Sequence, residues 1–330
     1  MKKFNKSTKV KKIFNKSVIT PNQDCNLRED GERFLPWMKD PIINYEHLHR
    51  YGFAQKFVEG KKVLDLACGE GYGSVILAEK AEEVVGIDIS EVVIEHASVK
   101  YVKDNVKFIK SSMTEVAVEK SKFFDVIICF EALEHIAKQN KAVVEVKRLL
   151  RDNGLFIVSM PNKYVYSDKP KYKNPWHKKE LYFEEFKDLL KGSFNNVVFY
   201  GQSVLPTSNI FSLLGFSDQA QELAIEKRES GFSFVSLDKK VATYFIAIAS
   251  NKPIKAAINS SYLVDSSEIP LRGNSSAETI HSKLETVQSS DAWKFLMCYY
   301  KVRDKIFPPN TKRRVYADNF KKAIKGIIWE

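Results

Sequence analysis

From Lys62 onward, short β-branched runs alternate with stretches whose apolar residues recur every three or four positions. Runs at 63–66, 84–87, 106–109, 124–130 and 155–160 predict five strands, and 73–81, 91–101 and 142–151 predict helices between them. The run at 124–130 is apolar enough to be covered on both faces. The helix at 142–151 carries Val143, Val144, Val146, Leu149 and Leu150, and Asn153-Gly154 should end it. Farther on, 183–190 reads as a helix, 196–200 as a strand and 241–249 as a long buried strand. This pattern predicts the α/β class, a doubly wound and mostly parallel sheet with helices on both faces. Its ligand should lie beyond the carboxyl ends of the strands, near the point where the strand order reverses. Residues 203–238 form an insertion with aromatic residues but no clear period. Ordinary loop-and-helix packing is its plainer reading, and a cover over a substrate the other.

Charge divides the chain differently. The net charge is +11, but residues 1–20 hold seven lysines and no acid, and residues 301–330 hold nine Lys and Arg against three acids. The body between them is nearly neutral. The expected organisation is a basic N-terminal segment (1–39), a domain (40–250), a linker rich in Ser, Asn and Pro (251–278) and a basic helical tail (279–330). In the tail, Tyr316, Phe320, Ala323, Ile324, Ile327 and Ile328 follow helical spacing, with Lys321, Lys322 and Lys325 on other faces. Docking on the protein's own body is the ordinary fate of such a helix. Contact with an anionic membrane surface or a partner is the alternative, and solvated tails are the bland reading of both basic ends. No apolar run approaches the roughly 18 residues of a membrane span, and no apolar segment follows the basic start. A cytoplasmic protein, at most associated with the inner face of a membrane, is expected. Cys25, Cys68, Cys129 and Cys298 lie far apart, which suits reduced thiols. No carboxylate–histidine group has metal-ligand spacing along the chain, so no metal is expected.

The densest chemistry is at Asp65-Leu66-Ala67-Cys68-Gly69-Glu70-Gly71-Tyr72-Gly73, where a strand runs through glycines into a helix. Glycines permit a sharp bend and close approach of a ligand, and amides at a helix start favour an anionic group. Asp88 ends the second strand, where an acid can accept hydrogen bonds from both hydroxyls of a ribose. Together these suit an adenosyl or adenine-dinucleotide ligand. A dinucleotide fold would place its third glycine at position 74, which is Ser74 here. Asp65 also fits poorly beside a pyrophosphate, whereas beside an ammonium group it is electrostatically sensible. S-adenosylmethionine (SAM) is the expected cofactor.

These residues resemble the first motif and ribose-binding acid of class I SAM-dependent methyltransferases, and the resemblance runs from about 46 to 250. Phe124-Asp125-Val126-Ile127 with Glu131-Ala132-Leu133-Glu134-His135 resembles the fourth strand and following segment of the family's small-molecule branch. The resemblance implies a Rossmann-like, seven-stranded sheet whose antiparallel seventh strand is 241–249. It implies a SAM site made of Asp65, Ala67, Gly69, Gly71, Gly73, Asp88, Ile89, Ser112, Met113 and Phe130. Arg50 could neutralise the cofactor carboxylate, and a surface salt bridge is the equal alternative for it. The family often has Asp where Ser112 stands. Glu46-His47-Leu48-His49-Arg50-Tyr51, Asn174-Pro175-Trp176-His177 and Phe183-Glu184-Glu185-Phe186 look like methyltransferases of bacterial surface-polysaccharide pathways. A sugar-containing acceptor is therefore expected, O-methylated at a hydroxyl, with His177, His135 and Glu131 as the catalytic candidates. Trp176 beside His177 could hold a sugar face. Ordinary loop packing or helix capping is the plain alternative for both histidines. An RNA or protein methyltransferase using the basic ends is the competing class. The strand end Cys129-Phe130-Glu131-Ala132 argues against nucleic-acid bases, since it lacks an Asn/Asp-Pro-Pro-aromatic sequence. The acceptor's identity and the oligomeric state are not legible.

Overall fold

The structure, a computed structural model, describes residues 27, 33–38, 40–117, 121–205, 224–228, 231–235, 241–254, 258 and 260–263. Nine strands are described: β1 (Lys62–Leu66), β2 (Glu83–Asp88), β3 (Val106–Lys110), β4 (Phe124–Cys129), β5 (Leu150–Pro161), β6 (Asn196–Gln202), β7 (Ala224–Arg228), β8 (Gly231–Val235) and β9 (Tyr244–Ser250). The α-helices are α1 (Pro41–Ala54), α2 (Tyr72–Ala78), α3 (Glu91–Lys100), α4 (Gln139–Leu149) and α5 (Phe183–Lys191). Seven strands form one sheet in the order β3-β2-β1-β4-β5-β9-β6, and β7 and β8 form a separate antiparallel pair within the insertion. Pairings from β3 through β5 are parallel, while β9 runs antiparallel to both β5 and β6.

Alternate side chains of the central strands enter two cores. Val63, Val126 and Ile128 pack with residues of α1 and α2 on one face. Leu64, Leu66, Ile127 and Cys129 pack on the other with Ala142, Val143 and Val146 of α4 and Phe186 and Leu190 of α5. Burial on both faces accounts for strands without polar alternation. Helix α1 has a distinct start: Asp40 accepts from the amides of Ile42 and Ile43 at 2.9 and 3.2 Å, with Pro41 in the first turn. At α5 the Glu185 carboxylate reaches back to the amide of Tyr182 at 2.9 Å.

Three boundaries differ from the sequence reading. The helix expected at 142–151 begins at Gln139 and ends at Leu149, because Leu150 already pairs with Phe124 as part of β5. The segment before residue 40 is not wholly a tail, since Phe34 and Leu35 are buried and Phe34 stacks on His47 with ring centroids 4.4 Å apart. The start of the expected linker is docked. Ile254 and Ile258 pack against the core beside α1, and the Ser261 hydroxyl lies 2.9 Å from Nε2 of His49. Contacts divide the chain into one unit of Met1–Leu263 and another of Val264–Glu330. The expected amphipathic helix and the basic run at 1–20 lie outside the described residues. Among the described residues, no helix is long and apolar enough to cross a membrane.

The sheet reversal lies between β1 and β4, and close packing there constrains β2. A methyl group added at Gly86 would stand 2.8 Å from both a Phe108 ring carbon and the Ser74 hydroxyl. Gly86→Ala is predicted to lower stability by about 1–3 kcal/mol through overpacking. Urea unfolding monitored by circular dichroism checks this, and an unchanged midpoint would show that Phe108 and Ser74 yield freely.

Candidate active site at the strand ends

Strain marks the carboxyl ends of the two central strands. Directly after β1, Ala67 has φ +55°, and two residues after β4, Glu131 has φ +48°. Left-handed backbone is costly for residues with a Cβ and persists where surrounding structure enforces it. At Glu131 the enforcement is visible. Its amide donates to Ser159 Oγ at 3.1 Å, and Ser159 Oγ donates back to Glu131 Oε1 at 2.6 Å. Ser159 is wholly buried in β5, so a neighbouring strand fixes the Glu131 carboxylate.

The glycine turn divides its labour. Gly69 (φ +54°) and Gly71 (φ +95°) both need left-handed backbone. Among the described residues, a Cβ at Gly69 would meet only the Arg33 side chain, at 3.7 Å, so this is the open face of the bend. A Cβ at Gly71 would come within 2.9 Å of Ala97 and 3.0 Å of Phe108, and one at Gly73 would strike the Tyr51 ring at 2.0 Å. Gly71 and Gly73 are thus required by the protein's own packing. Between Gly69 and Gly71, Glu70, fully buried, binds His96, Lys100 and Tyr101 at 2.8, 2.8 and 2.7 Å and ties the turn to α3.

Asp65 lies wholly buried beneath the turn, accepting from Ser74 Oγ at 2.7 Å and Tyr51 Oη at 3.2 Å. Its contacts support the bend. Burial raises its carboxyl to about 7, against the lowering effect of the Ser74 and Tyr51 hydrogen bonds. Asp88 sits at the end of β2, 8% exposed, taking the Gly69 amide on one oxygen at 3.2 Å and the Ser90 amide on the other at 2.9 Å. Two amide bonds leave lone pairs on both oxygens for hydroxyl donors. Ile89, next in the chain, is 73% exposed, so an apolar surface adjoins that acid. Met113 is half-buried against the core, and Ser112 turns inward, its Oγ accepting from the Thr114 amide at 3.2 Å and lying 3.0 Å from Thr114 Oγ1. Phe130 is buried edge-on to Tyr51.

Arg50 is 1% exposed. Its Nε donates to Gln202 Oε1 at 2.6 Å, its carbon lies 4.4 Å from the Tyr244 ring centroid, and Nη1 is 3.8 Å from Glu131 Oε1. Among the described residues, neither terminal nitrogen has a hydrogen-bond partner. Gln202 is itself held by the Glu46 carbonyl at 2.9 Å, and Tyr244 by the Glu46 carboxylate at 3.0 Å. Gln202, Tyr244 and Ser159 went unread in the sequence. Each is a single polar residue in or beside an apolar run, which carries no pattern until strands are paired.

His135 and His177 meet. Their rings lie edge to face at 5.1 Å, and His177 stacks on Tyr166 at 5.4 Å. Tyr166 comes from a π-helical turn, Tyr164–Asp168, directly after β5. His177 Nδ1 lies 2.6 Å from Glu180 Oε1, and His135 Nδ1 lies 3.3 Å from the Trp176 carbonyl oxygen. Glu134, 1% exposed, joins them: one carboxylate oxygen and one nitrogen of each ring lie within 4.8 Å of one another. Chain spacing predicted no such group. The third member arrives on the loop after β5, so only folding assembles it. Burial, then the charge of Glu131, pushes the Glu134 carboxyl well above the usual carboxylate range.

The residues present fit SAM. Asp88 suits the ribose hydroxyls, the open face of Gly69 admits the chain of the ligand, and the orphaned nitrogens of Arg50 suit a carboxylate. Residues 57–206 match the family model described as a methyltransferase domain. A probable SAM-dependent methyltransferase of Mycolicibacterium smegmatis is 32% identical over 49% of this chain and 62% of its own length. A ubiquinone biosynthesis O-methyltransferase of Nitrosomonas europaea is 27% identical over 39% of this chain and 60% of its own. The chain thus spans about three fifths of these relatives. The crystal structure of the YcgJ protein from Bacillus subtilis aligns with 63% of this chain and 100% of its own, at 20% identity and a TM-score of 0.44.

The raised Asp65 carboxyl has a stability consequence. An acid whose folded pKa (about 7) exceeds its unfolded value (3.8) binds more protons when folded, so its contribution falls as pH rises between the two. Asp65→Asn is predicted to gain on the parent chain between pH 4 and 8, by an amount on the order of a few kcal/mol. Thermal unfolding across that range measures it, and a pH-independent difference would mean that Asp65 is ionised throughout. Residues 57–206 are thus similar to a methyltransferase domain, and the strand order and glycine turn are those expected of the class I, SAM-dependent fold.

Proposed function

We propose that this chain transfers the methyl group of SAM to a hydroxyl oxygen of a sugar, in a bacterial surface glycan or its precursor. The observation that carries methyl transfer is the set of anchors about the β1–β4 reversal: Asp88 beside the bend, and Arg50 with two unmet donors. Bound SAM supplies an activated methyl carbon on a sulfonium, leaving the protein to align the acceptor and exclude water. Glu131, held rigid by Ser159, is the carboxylate at the end of β4 available to take a proton. His135 and His177 are the groups that face an acceptor entering over the loop after β5.

The sugar reading is supported by aromatic surface. Trp176, next to His177, and Tyr172, earlier in the same loop, are 43% and 49% exposed, and Tyr164 is 58% exposed. Sugar rings present C–H faces that pack on such groups. The Asn174 side chain shapes this loop, accepting the Trp176 amide at 3.0 Å. A phenolic acceptor is the second reading, favoured by the ubiquinone-biosynthesis relative. Membrane contact through the basic ends is compatible with either acceptor.

Two substitutions test the division of roles. Asp88→Ala is predicted to weaken SAM binding by about 1–3 kcal/mol. His177→Ala should cut turnover while leaving SAM affinity intact. Calorimetry with SAM and single-turnover assays check both, and unchanged affinity in the first or unchanged turnover in the second removes that residue from its role. Methyl-labelled SAM offered with nucleotide-linked sugars, lipid-linked sugars and polyprenyl phenols identifies the acceptor. Label entering only the phenols overturns the sugar assignment.

A further inference from the structure

Glu134, His135 and His177 have the arrangement of a metal site, and their surroundings are those that metal ligands need. The donor atoms converge within 4.8 Å, and they comprise one carboxylate and two imidazoles. A second, independent observation is that Glu134 Oε2 is buried and, among the described residues, has no hydrogen-bond partner. Leaving a buried carboxylate oxygen unsatisfied is costly unless something positive meets it. Nearby Glu131 adds a like charge rather than relieving it. The outer partners are in place as well. Metal-ligating histidines characteristically donate the N–H of their other ring nitrogen to a carboxylate or backbone carbonyl. Here Nδ1 of His177 meets Glu180 at 2.6 Å, and Nδ1 of His135 meets the Trp176 carbonyl at 3.3 Å. That assigns Nε2 of each ring to the cation.

We propose that Glu134, His135 and His177 bind one divalent first-row transition cation through a carboxylate oxygen and two Nε2 atoms, with positions left open for an acceptor. Two imidazoles and a carboxylate suit zinc, cobalt or manganese over magnesium, which prefers an all-oxygen shell. Three protein ligands with an open position is the pattern of a reactive rather than a purely structural site. An acceptor hydroxyl coordinated there ionises at a lower pH, releasing its proton to water. This use, unlike the site itself, rests on the methyl-transfer reading. It gives the two histidines a role in holding the cation instead of moving a proton.

Cobalt(II) is a direct probe, because its visible absorption reports coordination without any turnover. The full chain, stripped with a chelator and dialysed, should bind one equivalent of Co²⁺ with visible bands, and Zn²⁺ should displace it. Glu134→Gln and His177→Ala should abolish the bands. Glu180→Gln, which touches only the outer partner, should weaken binding by about tenfold or more. Circular dichroism establishes that each variant is folded, and Asp88→Ala should bind Co²⁺ as the parent does. Absence of bands at millimolar Co²⁺, or binding unaltered in both folded Glu134→Gln and His177→Ala, overturns the site. SAM affinity measured on the same stripped samples separates the two readings. SAM binding without Co²⁺ binding sinks the cation site alone, whereas Co²⁺ binding without SAM binding sinks the methyl-transfer reading alone.

Discussion

A guanidinium buried with too few acceptors is the constraint around which the site is arranged. Arg50 lies in α1, but its one short hydrogen bond goes to Gln202 on β6, and its face is covered by Tyr244 on β9. Removing an arginine from water costs several kcal/mol unless charge and hydrogen bonds are returned to it. Glu131 at 3.8 Å returns part of the charge, and the two terminal nitrogens still lack acceptors. The first helix and the last two strands of the sheet therefore converge on an unmet demand for an anion, located by the very elements that close the domain. An incoming carboxylate would satisfy it.

The sheet supplies the rest by geometry. Parallel strands that end together present their carboxyl termini along one edge, and the reversal between β1 and β4 opens a gap there. Residues beyond the strand ends are held tightly: Asp88 by two amides, Glu131 by Ser159, His177 by Glu180 and Tyr166. Left-handed backbone at Ala67 and Glu131 occurs at the ends of the two strands that flank the gap. At Glu131 the strain is tolerated because buried Ser159 on β5 over-determines the chain. A site built on strand ends in this way is preorganised, so that ligands need reorganise little of it.

Much of this was legible in the sequence, and the part that was not has a common cause. Apolar runs and periodicity place the strands, because burial on both faces leaves an unbroken hydrophobic signature. The glycine turn and Asp88 announce a nucleoside ligand through backbone requirements that few other residues meet. The support that Asp65 gives the bend through Ser74 and Tyr51 is not legible from charge alone. Nor does the glycine pattern announce that a Cβ at Gly71 or Gly73 would also meet Phe108 or Tyr51. The group of Glu134, His135 and His177 is invisible to spacing because it joins two segments distant in the chain. The same holds for Ser159, Gln202 and Tyr244, whose roles exist only once β4, β5, β9 and β6 are side by side.

If the Arg50 nitrogens await the carboxylate of SAM, an analogue of the cofactor tests it without altering the protein. Equilibrium binding of SAM can be compared with that of decarboxylated SAM, which keeps the adenosine, the sulfonium and the ammonium but lacks the carboxylate. A lost charge-assisted contact of about 1.5–3 kcal/mol predicts roughly tenfold to a hundredfold weaker binding of the analogue. Equal affinity for the two ligands would contradict the account, leaving the Arg50 nitrogens to some other anion.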